Sequence, residues 1–127
     1  QFTLGKNERL KSRKLIEQLF SEGKKFSVTP FKVSYLFSEK ETACLQFGAG
    51  VGTRNFKKAV DRNRVKRVMR ETWRLQKHPL QKLLMEHNKC LVVFINYTGK
   101  ELPVYKPLAE QMNKVIKKLE MIVISEK

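Results

Sequence analysis

The segment from Arg54 to Lys77, RNFKKAVDRNRVKRVMRETWRLQK, constrains this chain more than any other feature. It contains ten Lys and Arg residues and two acidic residues, so it holds a net +8 of the formal +15. On a helix, at 100° per residue, its basic and apolar side chains separate onto opposite faces. The basic face comprises Asn63, Lys66, Arg67, Arg70, Arg74 and Lys77, and the apolar face Val65, Val68, Met69, Thr72 and Trp73. The segment therefore predicts an amphipathic helix that packs on a core and presents a cationic ridge.

The apolar positions also indicate where this helix begins. Phe56 and Ala59 do not lie on the face of Val65 and Met69, so we expect the helix to start between Ala59 and Asp61. A helix start with free amides and flanking cations is typical of a phosphate-binding site. A solvated face is the usual alternative for a charge run, but such a face normally mixes signs. The cations of the lead-in loop are Arg54, Lys57 and Lys58.

Composition favours a globular protein with a polyanionic partner. With 41% apolar residues and a pI near 10.1, residues 1–127 are expected to form one domain that binds a polyanion, and 1–11 an extended basic arm of it. Nucleic acid is the first candidate partner and an acidic membrane surface the second. No apolar run approaches the roughly 18–20 residues of a membrane span, and no signal peptide pattern opens the chain. We therefore expect a cytoplasmic protein without a membrane partner.

The remaining segments predict an α+β fold with a small, about four-stranded sheet, helices mainly on one face, and the element order αβββαβα. Alternation, apolar stripes and breakers predict helices at Ser12–Glu22, Leu80–His87 and Pro107–Val123, and strands at Phe26–Phe37, Ala43–Thr53 and Cys90–Tyr97. Pro30 indicates an edge position or a break near the start of the first strand, so two or three strands precede the basic helix.

Three glycines share one face of the strand that precedes the basic helix. Gly48, Gly50 and Gly52 alternate with apolar residues, although each Gly weakens a strand by roughly 0.5–1 kcal/mol relative to Ala. Close approach of a ligand or nucleic-acid strand would explain them. A tightly packed helix, or a bulge, would explain them equally well.

The chain offers little that could break a bond. Asp61 is the one Asp among 12 acidic residues, and the two histidines, His78 and His87, lie in a polar segment away from the basic face. No phosphate-binding Walker loop or Gly-Ser elbow is present. Cys44 and Cys90 are isolated, so neither a zinc site nor a disulfide is supported. We expect a protein without catalytic residues or a metal site of its own.

One string carries a family resemblance. The run from Ala59 to Arg67, AVDRNRVKR, followed by Arg70 and Glu71, resembles the signature of the bacterial ribonuclease P protein subunit. The resemblance extends to Arg9-Leu10 before the first helix and to Phe20 and Gly23 near its end. It covers essentially the whole chain.

The resemblance implies a ribosomal-protein-like fold with a left-handed β-α-β crossover around the basic helix. It also implies a function in removal of the 5′ leader of precursor tRNA, with the catalytic RNA subunit and its Mg²⁺ performing the chemistry. The residues that it assigns to binding of the catalytic RNA are Arg54, Arg62, Asn63, Arg64, Lys66, Arg67 and Arg70. The charge pattern adds Lys57, Lys58 and Arg74 to this surface. Those that the resemblance assigns to a leader-binding cleft between the first helix and the sheet are Arg9, Arg13, Ile16, Phe20, Lys32, Ser34, Gly50 and Gly52.

This chain departs from the family pattern at three positions. Lys57 stands where the family usually has Gly, so the loop before the helix is expected to differ in shape. Ile16 and Ser34 stand where aromatics are frequent, so leader binding is expected to depend more on Lys32 and Phe20.

Two other functions compete with this reading. A structural RNA-binding protein of the ribosome fits the composition and fold class equally well. A helix-turn-helix DNA-binding protein fits less well, because the basic face has few base-reading side chains besides Asn63.

Overall fold

A computed structural model describes residues 13–38 and 45–125. Its elements follow the order αβββααβα, and the α+β fold with a four-stranded sheet confirms the predicted class. They are α1 (Arg13–Glu22), β1 (Lys24–Val28), β2 (Phe31–Ser38), β3 (Leu45–Val51), α2 (Ala59–Gln76), α3 (His78–Glu86), β4 (Cys90–Tyr97) and α4 (Tyr105–Ser125). The arm 1–11 and the proposed helix cap Ser12 lie outside the described residues.

The sheet is mixed, with the strand order β1-β2-β4-β3. β1 and β2 are antiparallel, as are β2 and β4, whereas β3 and β4 are parallel neighbours. The parallel pair requires a crossover, which α2 and α3 supply. The expected left-handedness of this connection stays a prediction.

The segment Phe26–Phe37, expected as strand with Pro30 marking an edge position or a break, forms two strands with the break at Pro30. The structure has a hairpin in which Val28 pairs with Phe31, and Thr29 and Pro30 form the turn. Pro30 has no N–H to donate to a ladder, so it suits a turn. Its carbonyl accepts hydrogen bonds from the N–H and the hydroxyl of Thr98, at 2.8 and 2.9 Å. The turn is thereby tied to the end of β4.

One face of the sheet is covered by α2, α3 and α4. Along β4, Leu91, Val93 and Ile95 point into this core, which they share with the apolar stripe of α2. The indole of Trp73 stacks on Phe47 of β3, with ring centroids 4.5 Å apart and planes 13° apart. This packing fixes the apolar side of α2 against the sheet, so the opposite side of the helix faces solvent.

Among the described elements, α1 alone packs on the other face. Leu19 of α1 is fully buried and packs with Val92 of β4, while Leu15 and Ile16 flank this smaller cluster. The helix covers part of the sheet and leaves a cleft beside it. The expectation of helices mainly on one face holds, with α1 as the exception that forms the cleft.

The predicted limits of the helices were close. α2 begins at Ala59 with Asp61 in its first turn, as expected. α3 starts at His78, directly after Lys77, and α4 starts two residues before the predicted Pro107. Within the described ranges, no helix is both long and apolar enough to cross a membrane.

Candidate nucleic-acid interface

The outer face of α2 is a cationic ridge, on which the helical period placed Asn63, Arg67 and Arg70 correctly but did not place Arg64. Asn63, Arg64, Arg67 and Arg70 are all exposed, and with Val60 they line a shallow groove of about 450 Å³. In the described part of the chain, none of these four polar side chains forms an ion pair with an acidic residue. The ridge therefore keeps its charge available to an external anion.

The start of α2 is also open. Lys58 occupies the N-cap position and makes no capping hydrogen bond through its side chain. The first amides of a helix lack partners within the helix, so an uncapped start favours an anionic ligand. Three exposed cations of the lead-in loop surround it: Arg54, Lys57 and Lys58.

Arg62 has a role that the sequence did not indicate. Its Nη1 donates to the backbone carbonyls of Phe56 and Lys57, each at 2.9 Å. The side chain thus reaches back from the first turn of α2 and holds the end of the lead-in loop. Arg62 is half-buried, whereas Arg64 and Arg67 are exposed.

A second contact holds the same loop from the other side. The Asn55 side-chain amide donates to the carbonyl of Gly99 at 3.2 Å and lies 3.4 Å from that of Thr98. Between these anchors, Phe56 is buried against Tyr97, with ring centroids 6.1 Å apart. Lys57 does not adopt left-handed backbone, which in the described residues occurs outside glycine only at Asn88. The loop therefore needs no glycine at position 57.

The C-terminal end of the ridge differs from the prediction. Lys77 is 2% exposed, so its expected place on the outward basic face is wrong. It falls between α2 and α3, where the direction of the chain changes. Arg74 is half-buried and its Nη2 donates to both carboxylate oxygens of Glu71, at 2.7 and 3.0 Å. Lys66 is also half-buried.

The predicted cleft is present between α1 and the sheet. Three of the predicted residues, Phe20, Lys32 and Ser34, line a space of about 420 Å³. Phe20 is 43% exposed and meets the ring of Phe94 edge-on, with centroids 5.3 Å apart. An exposed ring beside an exposed lysine can stack on a base and pair with a phosphate.

The other predicted cleft residues have different positions. Ile16 packs against the cluster of Leu19, which is a core position rather than an open one. Gly50 is buried, and its missing side chain leaves room for Phe94 and Asn96 of β4. Gly52 and Arg13 are exposed, and Arg9 lies outside the described residues.

Neither a tightly packed helix nor a bulge explains the glycine at position 50. A Cβ there would lie 2.7 Å from Cζ of Phe94 and would also meet Oδ1 of Asn96. The space is filled by side chains of the neighbouring strand, not by a helix, and the β3–β4 pairing continues through Gly50 without a bulge.

Sequence reasoning missed further cleft residues, of which Asn96 is the most informative. Asn96 pairs in register with Lys32 on one side and Gly50 on the other, so it lies on the floor of the cleft. It is a polar residue in the otherwise largely apolar strand CLVVFINY, and this change of polarity could have indicated a cleft position from the sequence. Lys25, Phe26, Ser27 and Val33 also line the space.

The described residues do not fit an Mg²⁺ site belonging to the protein. Mg²⁺ binds oxygen ligands in near-octahedral geometry. No three His, Cys, Asp or Glu side chains come together within residues 13–38 and 45–125. Cys90 is a free thiol in this part of the chain, and Cys44 lies outside it.

Comparison with known proteins identifies the family. The sequence model described as Ribonuclease P matches residues 4–120. A ribonuclease P protein component from Porphyromonas gingivalis is 40% identical over 114 residues, covering 89% of this chain and 83% of that protein. The protein of the same name from Idiomarina loihiensis is 31% identical over 108 residues, covering 77% of this chain and 86% of that protein.

Solved structures show the same fold. The Staphylococcus aureus RNase P protein superposes with a TM-score of 0.69 at 19% identity, covering 89% of this chain and 95% of that one. A mutant of that protein, described as having defective mRNA degradation activity, gives a TM-score of 0.66 at 19% identity, with coverages of 87% and 86%. The family match, the identity to these relatives and the shared fold agree: this chain belongs to the bacterial ribonuclease P protein family.

Proposed function

We propose that this protein is the RNA-binding subunit of ribonuclease P, which removes the 5′ leader of precursor tRNA in the cytoplasm. The α2 ridge and the lead-in loop bind the catalytic RNA, and the cleft beside α1 binds the leader. The RNA subunit holds the Mg²⁺ ions and cuts the phosphodiester bond, while the protein supplies binding and orientation.

One observation carries this proposal: the exposed, unneutralised ridge of α2. Asn63, Arg64, Arg67 and Arg70 lie on one side of a helix whose other side is fixed by Trp73. Guanidinium groups bind phosphate through paired N–H donors. A row of guanidinium groups on a rigid helix suits a phosphate backbone. Membership of the ribonuclease P family indicates the catalytic RNA as the partner of this surface.

Reconstitution tests the proposal directly. The pure protein should leave precursor tRNA intact, and its addition to a bacterial catalytic RNA at low Mg²⁺ should restore cleavage. The double variant Arg67→Ala/Arg70→Ala should restore much less, whereas Lys82→Ala, an exposed lysine of α3, should match the unaltered protein.

Two outcomes would contradict the proposal. Cleavage by the protein alone would place the chemistry in the protein. A protein that leaves the catalytic RNA unaffected but co-purifies with ribosomal subunits would instead be a ribosomal RNA-binding protein.

The cleft is tested with two substrates. Phe20→Ala removes the exposed ring, and stacking on an aromatic is worth about 1–3 kcal/mol per base. The variant should therefore bind precursor tRNA more weakly in the complex while binding mature tRNA unchanged. Equal weakening for both tRNAs would indicate damage to the packing against Phe94 rather than loss of a leader contact.

A further inference from the structure

The C-terminal half of α4 presents a second surface, remote in sequence from the α2 ridge and the cleft. Its outward face contains a shallow depression of about 600 Å³ between Asn113 and Ser125. Neither the resemblance nor the proposed RNA contacts involve any residue of this face. Its lining is mostly aliphatic, because the side chains of lysine, methionine and isoleucine surround it.

Large apolar side chains are unusually open here. Met121, which lines the depression, is 71% exposed, and Ile124, next in the chain to the lining residue Ser125, is 60% exposed. Contiguous exposed apolar side chains on a charged protein indicate an interaction surface. Methionine is enriched at protein interfaces, where its flexible chain adapts to a partner.

The shape of this face suits a helix. Side chains four residues apart on a helix form parallel ridges, and a partner helix packs one of its own ridges into the groove between two of them. Each of the two ridges here is about 12 Å long, or just over two turns. One consists of Lys117, Met121 and Ser125, and the other of Lys114, Lys118 and Ile122.

The charges on the rim select the partner. Lys114, Lys117 and Lys118 are exposed and form no ion pair with the described acidic residues, and the depression itself has no acidic lining residue. The ammonium of Lys118 lies 4.9 Å from the ring centroid of Phe26, so this side chain is held at one border of the face. An apolar ridge flanked by carboxylates would complement this arrangement.

We propose that this face of α4, here called the α4 groove, docks an acidic amphipathic helix of another protein. A second copy of the chain would bring the same three lysines against each other, and like charges at an interface oppose association. Single-stranded or duplex RNA would pair with the lysines but would leave Met121 and Ile124 without apolar partners. A protein helix satisfies both parts of the surface.

A designed peptide serves as the probe. It is a labelled 15-residue helical peptide with leucines at three positions spaced by four and glutamates beside them; a scrambled peptide of the same composition is its control. Fluorescence anisotropy measures binding to the full chain at about 0.15 M salt, where long-range charge effects are largely screened. The matched protein variants are Met121→Glu on α4 and Met85→Glu on α3, because Met85 is 69% exposed and the two changes alter net charge equally.

The expected result is a loss of affinity of about tenfold or more for Met121→Glu, as for a central interface residue. Met85→Glu should change affinity by less than about twofold, since a surface position outside the interface contributes little. The scrambled peptide should bind several times more weakly than the designed one. Equal losses for the two variants, or equal binding of the two peptides, would show that the +15 charge alone attracts the peptide and would overturn the proposal.

Two further measurements separate the other occupants. A single-stranded RNA oligonucleotide whose affinity falls with Met121→Glu but not with Met85→Glu would make the α4 groove an RNA contact. Sedimentation that shows a dimer abolished by Met121→Glu would make it a contact between copies. Either result would replace the proposed partner.

Discussion

At the scale of single residues, Arg62 shows that a member of the basic string can act through its neighbours. Its guanidinium holds the carbonyls of Phe56 and Lys57, and these residues position the cations of the lead-in loop. The helical period predicted correctly that α2 has a cationic face. It could not predict that one arginine turns back toward the loop, because this depends on the path of the chain before the helix.

Removing this contact should loosen the loop in the free protein. A hydrogen bond to a charged group contributes about 1.5–3 kcal/mol, so loss of the Arg62 donor in Arg62→Ala should speed local amide exchange in residues 54–60 by about tenfold or more. Hydrogen exchange followed by mass spectrometry, without RNA, measures this. Arg67→Ala is the control, since its exposed side chain has no described contact with the loop. Equal exchange in the two variants would show that Arg62 does not hold the loop.

Tyr97 should give the free energy of unfolding a dependence on alkaline pH. Burial, and secondarily the negative charge of Glu101, raise the pKa of its phenol. Below the unfolded pKa of about 10, the phenol is neutral in both the folded and the unfolded protein. Its full contribution to the free energy of unfolding is then present. As pH rises through the folded pKa, the unfolded chain releases its proton first and that contribution is lost.

The measurement is urea unfolding at several pH values up to the alkaline limit of reversibility. The native protein should lose stability above about pH 10 more steeply than Tyr97→Phe, which cannot ionise. The hydroxyl also donates to the carbonyl of Glu101 at 2.8 Å, so the variant starts from a lower stability. Parallel curves for the two proteins would argue against a shifted phenol.

At the scale of elements, the β1–β2 hairpin shows where pattern reading stopped short. Phe26 and Val28 occupy even positions, and Phe31 and Val33 odd ones, yet all four pack on the same core. Side chains on one strand alternate strictly, so this change of parity requires a break between Val28 and Phe31. Pro30 indicated either this break or an edge position, and the sequence alone could not decide between the two.

The glycines of β3 give a prediction at the same scale. Gly50→Ala would place a methyl group 2.7 Å from Phe94, in a strand whose register is fixed by seven pairs with β4. Overpacking of this kind costs about 1–3 kcal/mol. We expect that loss in the free energy of unfolding, together with a displaced Phe94 ring in the cleft beside α1.

Gly52→Ala is the matched control. The nearest atom to a Cβ at this position is the backbone N of Arg54 at 3.9 Å, and no described glycine has positive φ. The change should be neutral or stabilise by up to about 1 kcal/mol, because Ala restricts the unfolded chain. Chemical denaturation of the two variants checks both values, and equal effects would show that Phe94 moves aside without cost.

At the scale of the whole molecule, the architecture separates the tasks of the two faces of the sheet. The side bearing α2, α3 and α4 contains the main core and fixes the ridge, while the side bearing α1 keeps an open cleft. Element order and apolar stripes predicted helices mainly on one face, whereas the family resemblance predicted the cleft beside α1. The cleft floor at Asn96 depended on pairing between strands distant in sequence, which a single sequence does not reveal.

The charge of the molecule should appear as a strong salt dependence of RNA binding. Each phosphate contact releases counterions, so loss of one contact flattens the slope of log K against log salt concentration by roughly 0.7–0.9. Arg67→Ala and Arg70→Ala should each show this change, because their side chains are exposed and without described acidic partners. Arg74→Ala should change the slope less, since Glu71 already holds that guanidinium at 2.7 Å.

Titrations with the catalytic RNA at several salt concentrations, with Lys82→Ala as control, measure the slopes. If Arg67→Ala and Arg70→Ala both leave the slope at the value for Lys82→Ala, the ridge faces away from the RNA.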